Sequence, residues 1–260
     1  MLSQSKIKLI RSLRLSKFRN MHGLFVVEGD KIVCELLSQP SLMPLKITNI
    51  YALGDWVEKH GQETGPYKDM IDIVSPRELV RISSLKTPNK ALALVELPKN
   101  EWSLPDPESK LVVALEDIQD PGNMGTIIRL ADWFSIGDLV LSPGCADPFS
   151  PKVVQASMGS VFRVKTCHTD LEAWMKSLNK TIPLYGTLME GRSIYNTGLS
   201  TRCGVLLFGN ESQGISDELQ KLLSKPITIP RGTGQRQGPD SLNVAMAAAI
   251  VLSEFTRQSS

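Results

Sequence analysis

Three groups of polar residues stand where apolar runs of the sequence stop. The first is Asn123 and Arg129, in DPGNMGTIIR. The second is Gly209-Asn210-Glu211 with Gly214, in FGNESQGIS. The third is Ile229-Pro230 followed, after a Gly-rich stretch, by Ser241-Leu242-Asn243. Glycines 122 and 125 keep backbone bare near the start of a helix, a setting that favours anions. The pattern G-x-E-x-x-G after a strand exposes amides at the strand's carboxyl end, the place where α/β proteins hold ligands. Each group also has a plainer reading. Asn123 suits a turn and Arg129 a surface position. FGNESQGIS suits a turn before a helix capped by Ser216 and begun by Asp217-Glu218. Ser241 suits an N-cap, whereas Asn243 has no such explanation inside an Ala-rich helix.

Other chemistries lack their residues. There is no G-x-x-x-x-G-K-[ST] phosphate loop and no G-x-S-x-G elbow. Glycines 232, 234 and 238 resemble a dinucleotide loop only loosely, with no βαβ unit or ribose-binding acid after them. His22, His60 and His168 are scattered. Cys34, Cys145, Cys167 and Cys203 include no pair at metal-ligand spacing, so the expectation is free thiols in a reducing cytoplasm and no metal.

The elements that must position these groups read as alternating strands and helices. A basic amphipathic helix is expected over residues 3–20, with Ile7, Ile10 and Leu13 on its apolar side. Strands follow at Leu24–Val27, Ile47–Ala52, Ile71–Val74 and Leu92–Leu97. Short helices lie between them at Lys31–Leu37, Trp56–His60 and Arg77–Ser83, the last capped by Ser75 with Pro76 at its first position. Lys99–Lys110 carries two prolines and no periodicity. The expected division is therefore an α/β domain over 1–100, a linker over 101–110, and a second domain over 111–260. In the second domain, strands are expected at Leu111–Leu115, Asp138–Leu141, Val161–Thr166, Pro183–Leu188, Val205–Phe208 and Ile227–Ile229. Helices are expected at Thr126–Phe134, Pro151–Ser160, Asp170–Leu178, Asp217–Leu223 and Leu242–Thr256. Apolar, unalternating strands predict a parallel sheet covered on both faces.

The bulk numbers fit this picture. The 260 residues are 42% hydrophobic and 22% charged, with a net charge of +2, which describes a globular chain able to bury a core. No apolar run approaches membrane-spanning length. Positive charge gathers at the N-terminus, where Lys6, Lys8, Arg11, Arg14, Lys17, Arg19 and Lys31 face only Glu28 and Asp30. Such a face is compatible with nucleic-acid phosphates, or is simply solvated.

DPGNMGTIIR, FGNESQGIS and ITIP…SLNVAMAAAI resemble, in order and spacing, the three signature motifs of the SpoU/TrmH-type RNA 2′-O-ribose methyltransferases of the SPOUT superfamily. QASMGSVFRV is similar to that family's mid-domain segment, and KFRNMHGLFVVEGDKIVCELL to the small substrate-binding domain that precedes it. The resemblance implies an α/β fold with a C-terminal SPOUT domain, a parallel sheet and a trefoil knot. It implies S-adenosylmethionine as cofactor, RNA (ribosomal, or alternatively transfer RNA) as substrate, and a homodimer through the C-terminal domain. By position it implies catalytic roles for Arg129, Asn123, Glu211, Ser241 and Asn243. Cofactor contacts are implied at Thr187, Leu188, Phe208, Gly209, Asn210, Glu211, Gly214, Ile229, Pro230, Ser241, Leu242, Asn243 and Ala247. RNA contacts are expected at Arg11, Arg14, Lys17, Arg19 and Arg129. A catalytically silent RNA-binding protein on the same fold is the competing class; a nucleotide-binding oxidoreductase is disfavoured. The loop Arg231–Asp240, with Arg231 and Arg236, is longer than the family pattern.

Overall fold

The computed structural model describes residues 1–38, 45–98, 103–200, 202–232 and 241–259. The chain forms two compact units. Unit 1 comprises Met1–Asn100 and Asp147–Arg163, and unit 2 comprises Glu101–Ala146 and Val164–Ser260.

Unit 1 begins with α1 (Gln4–Ser12) and α2 (Ser16–His22) rather than one continuous helix. Ser3 caps α1 by accepting the Lys6 N–H at 3.2 Å, and Ile7, Ile10 and Leu13 are buried as their spacing predicts. Then come β1 (Leu24–Glu28), α3 (Asp30–Ser38), β2 (Ile47–Ala52), α4 (Gly54–Lys59), α5 (Gly61–Thr64), β3 (Ile71–Ile73), α6 (Pro76–Ile82) and β4 (Ala91–Glu96). The sheet order is β1-β4-β2-β3, with β4 antiparallel to both neighbours and β2 parallel to β3. Ser75 and Glu78 form a reciprocal capping box on α6, with Pro76 at its first position.

Unit 2 contains β5 (Leu111–Leu115), α7 (Pro121–Trp133) and β6 (Asp138–Leu141). After α8 (Pro151–Ser157), which belongs to unit 1, it continues with β7 (Lys165–His168), α9 (Leu171–Ser177), β8 (Leu184–Ser193), β9 (Gly204–Phe208), α10 (Asp217–Gln220), β10 (Lys225–Thr228) and α11 (Val244–Ser259). Its six strands run in the order β10-β8-β9-β5-β6-β7, all pairs parallel. Every residue of β5 and β9 is buried, which explains their unbroken apolar sequences. Trp174 and Met175 of α9 share one core cluster with Val112, Val140 and Leu207, while α7 and α11 pack against each other.

Several boundaries differ from the sequence expectation. The strand expected over Val161–Thr166 is a 3-10 turn (Ser160–Phe162) followed by β7, because Val161 and Phe162 fill unit 1. The helix after Ser150 stops at Ser157, where Met158 and Gly159 take left-handed backbone with φ of 50° and 91°. Arg236 and most of the Arg231–Asp240 loop lie outside the described residues, as do residues 99–102 at the start of the linker. All four cysteines are free thiols, and no helix among the described residues is long and apolar enough to cross a membrane.

Candidate active site

The three polar groups of the sequence meet at the carboxyl ends of β5, β9 and β10. α7 starts at Pro121, five residues earlier than expected, because Asp120 caps it by accepting the Asn123 N–H at 2.8 Å. Asn123 therefore sits in the first helical turn and not in a loop. Its Nδ2 donates to Glu211 Oε1 at 2.7 Å, and its Oδ1 accepts from Asn243 Nδ2 at 3.0 Å. The partners lie 88 and 120 residues away in sequence, yet one carboxamide joins all three motifs.

Asn243, not Ser241, caps α11. Its Oδ1 accepts the N–H groups of Ala245 and Met246 at 3.0 and 3.3 Å. The asparagine thus holds the helix start with its oxygen and the relay with its nitrogen. Ser241 and Leu242 are exposed, Leu242 by 49%, and Ala247 is half-buried.

The β9 end is built to bring bare backbone close. A Cβ on Gly209 would lie 2.3–2.4 Å from the backbone of Gly214 and Ile215, so only glycine fits there. Gly214, with φ of +72°, closes a tight loop onto Asn210 through backbone bonds of 2.9 and 3.0 Å. Asn210 itself is spent on structure. Its Oδ1 accepts from the N–H groups of Ser212 and Gln213, and its Nδ2 donates to the Asp117 carbonyl at 2.8 Å. Phe208 is fully buried and offers the site only backbone.

Sequence reasoning missed the residues that hold this loop. Asp117 takes φ of 52°, unusual for a non-glycine, and is clamped by Ser142, whose Oγ accepts its N–H at 2.9 Å and donates to its Oδ1 at 2.5 Å. Glu116 Oε2 accepts the Ser216 N–H at 2.9 Å. Asp120, Asp117 and Glu116 were all visible beside Asn123 as acids following β5, but nothing in their spacing marks the partner.

Thr187 and Leu188 do not end a strand. β8 runs on to Ser193, and its register with β10 jumps between Pro226 and Ile227, from Gly186 to Arg192. Residues 187–191 form an excursion where β8 leaves β9. Thr187 Oγ1 donates to the Leu207 carbonyl at 3.3 Å, Leu188 packs against the core, and the Met189 carbonyl accepts from Thr228 Oγ1 at 3.1 Å. Ile229 is half-buried and Pro230 exposed just beyond β10.

Arg129 stands apart from this relay. It is exposed and makes no hydrogen bond or ion pair among the described residues. Six residues after Asn123, it is turned by roughly 240° around the helix and carried about 9 Å along it. Trp133, one turn further on the same side, is 82% exposed.

In unit 1, the basic residues divide. Arg11 and Lys17 are exposed, and Arg14 is exposed while donating to the Ser83 carbonyl. Arg19 is a correction to the expected RNA face. It is 2% exposed, and its guanidinium is consumed by the carbonyls of Leu13 (2.8 Å) and Arg14 (2.9 Å) and by Asp147.

Residues 110–253 match the SpoU rRNA Methylase family, and residues 4–93 match the MRM3-like substrate binding domain. The 23S rRNA (guanosine(2553)-2′-O)-methyltransferase RlmP of Bacillus subtilis is 27% identical over 248 residues, 95% of this chain and 94% of that protein. A solved structure of a TrmH-family protein from Porphyromonas gingivalis is 36% identical, with a TM-score of 0.85 over 100% of both chains. An AdoMet-bound rRNA methyltransferase from Sinorhizobium meliloti is 29% identical, with a TM-score of 0.82 over 99% of this chain and 96% of that one.

Proposed function

We propose, from the premise that this chain belongs to the SpoU rRNA methylase family, that it methylates a ribose 2′-hydroxyl in ribosomal RNA. The observation that carries the reading is the Asn243–Asn123–Glu211 relay, which ties the three strand-end motifs into one constellation. S-adenosylmethionine is the methyl donor, as the AdoMet-bound relative suggests. The residues suit it. Adenosine needs backbone partners for its edges and aliphatic walls for its faces. Gly209 leaves the β9 end bare, while Leu188 stands on the excursion of β8, Ile229 just beyond β10 and Leu242 just before α11.

When bound, S-adenosylmethionine supplies a methyl group on a sulfonium whose sulfur keeps the bonding pair as the new C–O bond forms. The protein's part is position and charge. Asn123 and Asn243 orient the ribose, with Glu211 fixing Asn123 and Ser241 lining the entrance. Arg129 brings a planar fork of N–H donors and no acceptor, so it serves as a clamp and not as a base. Its fork clamps the phosphate beside the target ribose and stabilises the alkoxide that develops as the 2′-hydroxyl proton passes to solvent.

Arg129 points away from its own chain's relay, so a homodimer supplies it across the interface. The exposed Trp133 beside it and the exposed Met246 (61%) of α11 give that interface its apolar part. On this reading the trefoil knot is built around β8, β10 and α11, with α11 packed on α7. Unit 1 presents Arg11, Arg14 and Lys17 to RNA phosphates, and the four free thiols suit a reducing cytoplasm.

Mixing two inactive variants tests the shared site. Arg129→Ala and Asn123→Ala, each inactive as a homodimer, should on subunit exchange regain about a quarter of the wild-type methyl transfer to ribosomal RNA, since half the dimers then hold one intact site. No regained activity would place Arg129 in the site of its own chain. Transfer to tRNA but not rRNA would overturn the substrate.

A further inference from the structure

Unit 1 holds a group of side chains that methyl transfer does not use. Asp30 opens α3 and Cys34 lies one turn on, so both project from one face of that helix. His60 ends α4 and turns its ring toward them. Its Nδ1 lies 3.3 Å from Cys34 Sγ, and its Nε2 lies 3.5 Å from Asp30 Oδ1. Cys34 Sγ is 3.9 Å from the same carboxylate oxygen. His60 Nε2 is buried and has no hydrogen-bond partner, although its neighbours are polar. A buried ring nitrogen left in this way asks for an explanation. Trp56, itself fully buried, donates its indole N–H to Asp30 Oδ1 at 2.6 Å and so fixes the carboxylate.

We propose that Asp30, Cys34 and His60 bind one borderline-soft divalent cation of the zinc class, pinning α3 to the end of α4. One donor atom from each residue lies within 4.8 Å of the other two. Ligands at zinc bond lengths in a tetrahedron stand about 3.3–3.7 Å apart, so the three donors need shifts on the order of 1 Å to close on one ion. A sulfur and an imidazole nitrogen together select zinc or its neighbours over magnesium or calcium, which take oxygen. The indole N–H on Asp30 is the kind of outer contact that orients a ligating carboxylate. Binding releases the thiol proton to solvent, leaving a thiolate on the ion. A linear cysteine–histidine–carboxylate relay for nucleophilic attack would place the acid behind the ring and away from the sulfur. Here Asp30 Oδ1 lies 3.9 Å from the sulfur as well as 3.5 Å from the ring, so the three side chains border one common space.

The site adds nothing to the methyl-transfer site of unit 2 and stands without it. The test uses the full-length chain, stripped with a chelator under reducing conditions and titrated with cobalt(II). One equivalent should give an intense near-ultraviolet thiolate-to-cobalt band with four-coordinate visible bands, and zinc should bleach both. Cys34→Ser should lose the near-ultraviolet band, and His60→Gln should weaken binding by about 10-fold or more. Cys145→Ser should change neither. Far-ultraviolet circular dichroism checks that the variants fold. No thiolate band in the wild-type protein, or a band that survives in folded Cys34→Ser, overturns the proposal.

Discussion

Two polar clusters, one in each unit, differ in where their hydrogen bonds end. In unit 1, Glu28 is 3% exposed and its carboxylate accepts from Ser83 Oγ and from the N–H and Oγ of Ser84, at 2.9 and 2.8 Å for the latter two. Its backbone carbonyl accepts from Gln155 Nε2. Arg19 is equally enclosed. Both carboxylate oxygens of Glu28 and all three guanidinium nitrogens of Arg19 are bonded inside the unit, as buried groups that hold a fold must be. In unit 2, Asn123, Glu211 and Asn243 bond one another but stay partly or fully exposed. Asn123 has a second Nδ2 hydrogen, and Glu211 a second oxygen, with no partner in the relay. Burial with full satisfaction marks a structural cluster; a connected relay with capacity facing outward marks a site.

The sharpest way to break this contrast is at the backbone of unit 2. Gly209→Ala would drive a Cβ to within 2.3–2.4 Å of the Gly214–Ile215 backbone. The loop must then move, and methyl transfer should be lost entirely along with calorimetric binding of S-adenosylmethionine. Binding within a few-fold of wild type would remove the β9 end from the cofactor site. Next in size is Asn123→Ala, which cuts the relay at its centre. A loss of about 10²–10³ in kcat is expected for an orienting group of this kind. The thermal midpoint should move little, because both of its partners can turn to water. A fall in stability matching the loss of activity would make the relay structural after all.

Glu28→Gln tests the other side. The substitution turns an NH2 group toward donors that need an acceptor, at a cost of about 1–3 kcal/mol. Unit 1 should unfold earlier in urea while cofactor affinity stays at the wild-type value. A Glu28→Gln protein as stable as wild type but impaired in methyl transfer would reverse the assignment of the two clusters.

This contrast also explains what could be read in the sequence. β5 and β9 were legible because strands buried on both faces spell unbroken apolar runs. The three motifs were legible as strand ends, but the bonds between them were not, since partners 88 and 120 residues apart leave no local trace. Asn243 was read as unexplained and Ser241 as a cap; the backbone enters α11 two residues later than the serine suggests. The return of Asp147–Arg163 to unit 1 was invisible for the same reason. It rests on Arg19–Asp147, Glu28–Gln155 and Glu35–Arg163, each pair separated by 127 or 128 residues. The Val161-Phe162 run looked like a strand because a short apolar stretch has no periodicity to separate strand from turn. The i, i+4 pair Asp30 and Cys34 was a readable signal, but His60 as their partner was not.

The smallest effect separates the two units by how each stabilises a carboxylate. Glu78 of unit 1 is held down to about 2 by the N–H of Ser75, then that of Leu2, in the α6 capping box. Glu254 of unit 2 is held to about 2 first by Arg257 and then by Gln258 along α11. Both lie below the ordinary value of 4.5, so both contributions are fully present above pH 4.5 and fade as pH falls toward 2. Stability should therefore drop through this window, and Glu78→Gln and Glu254→Gln should each flatten the slope. Salt should tell them apart. Neutral amide donors are barely screened, whereas an exposed arginine partner is. The Glu254→Gln difference should shrink in high salt and the Glu78→Gln difference should persist. Urea unfolding at stepped pH with and without salt reads both, and equal salt sensitivity of the two would mean that α11 is held by hydrogen-bond geometry rather than by charge.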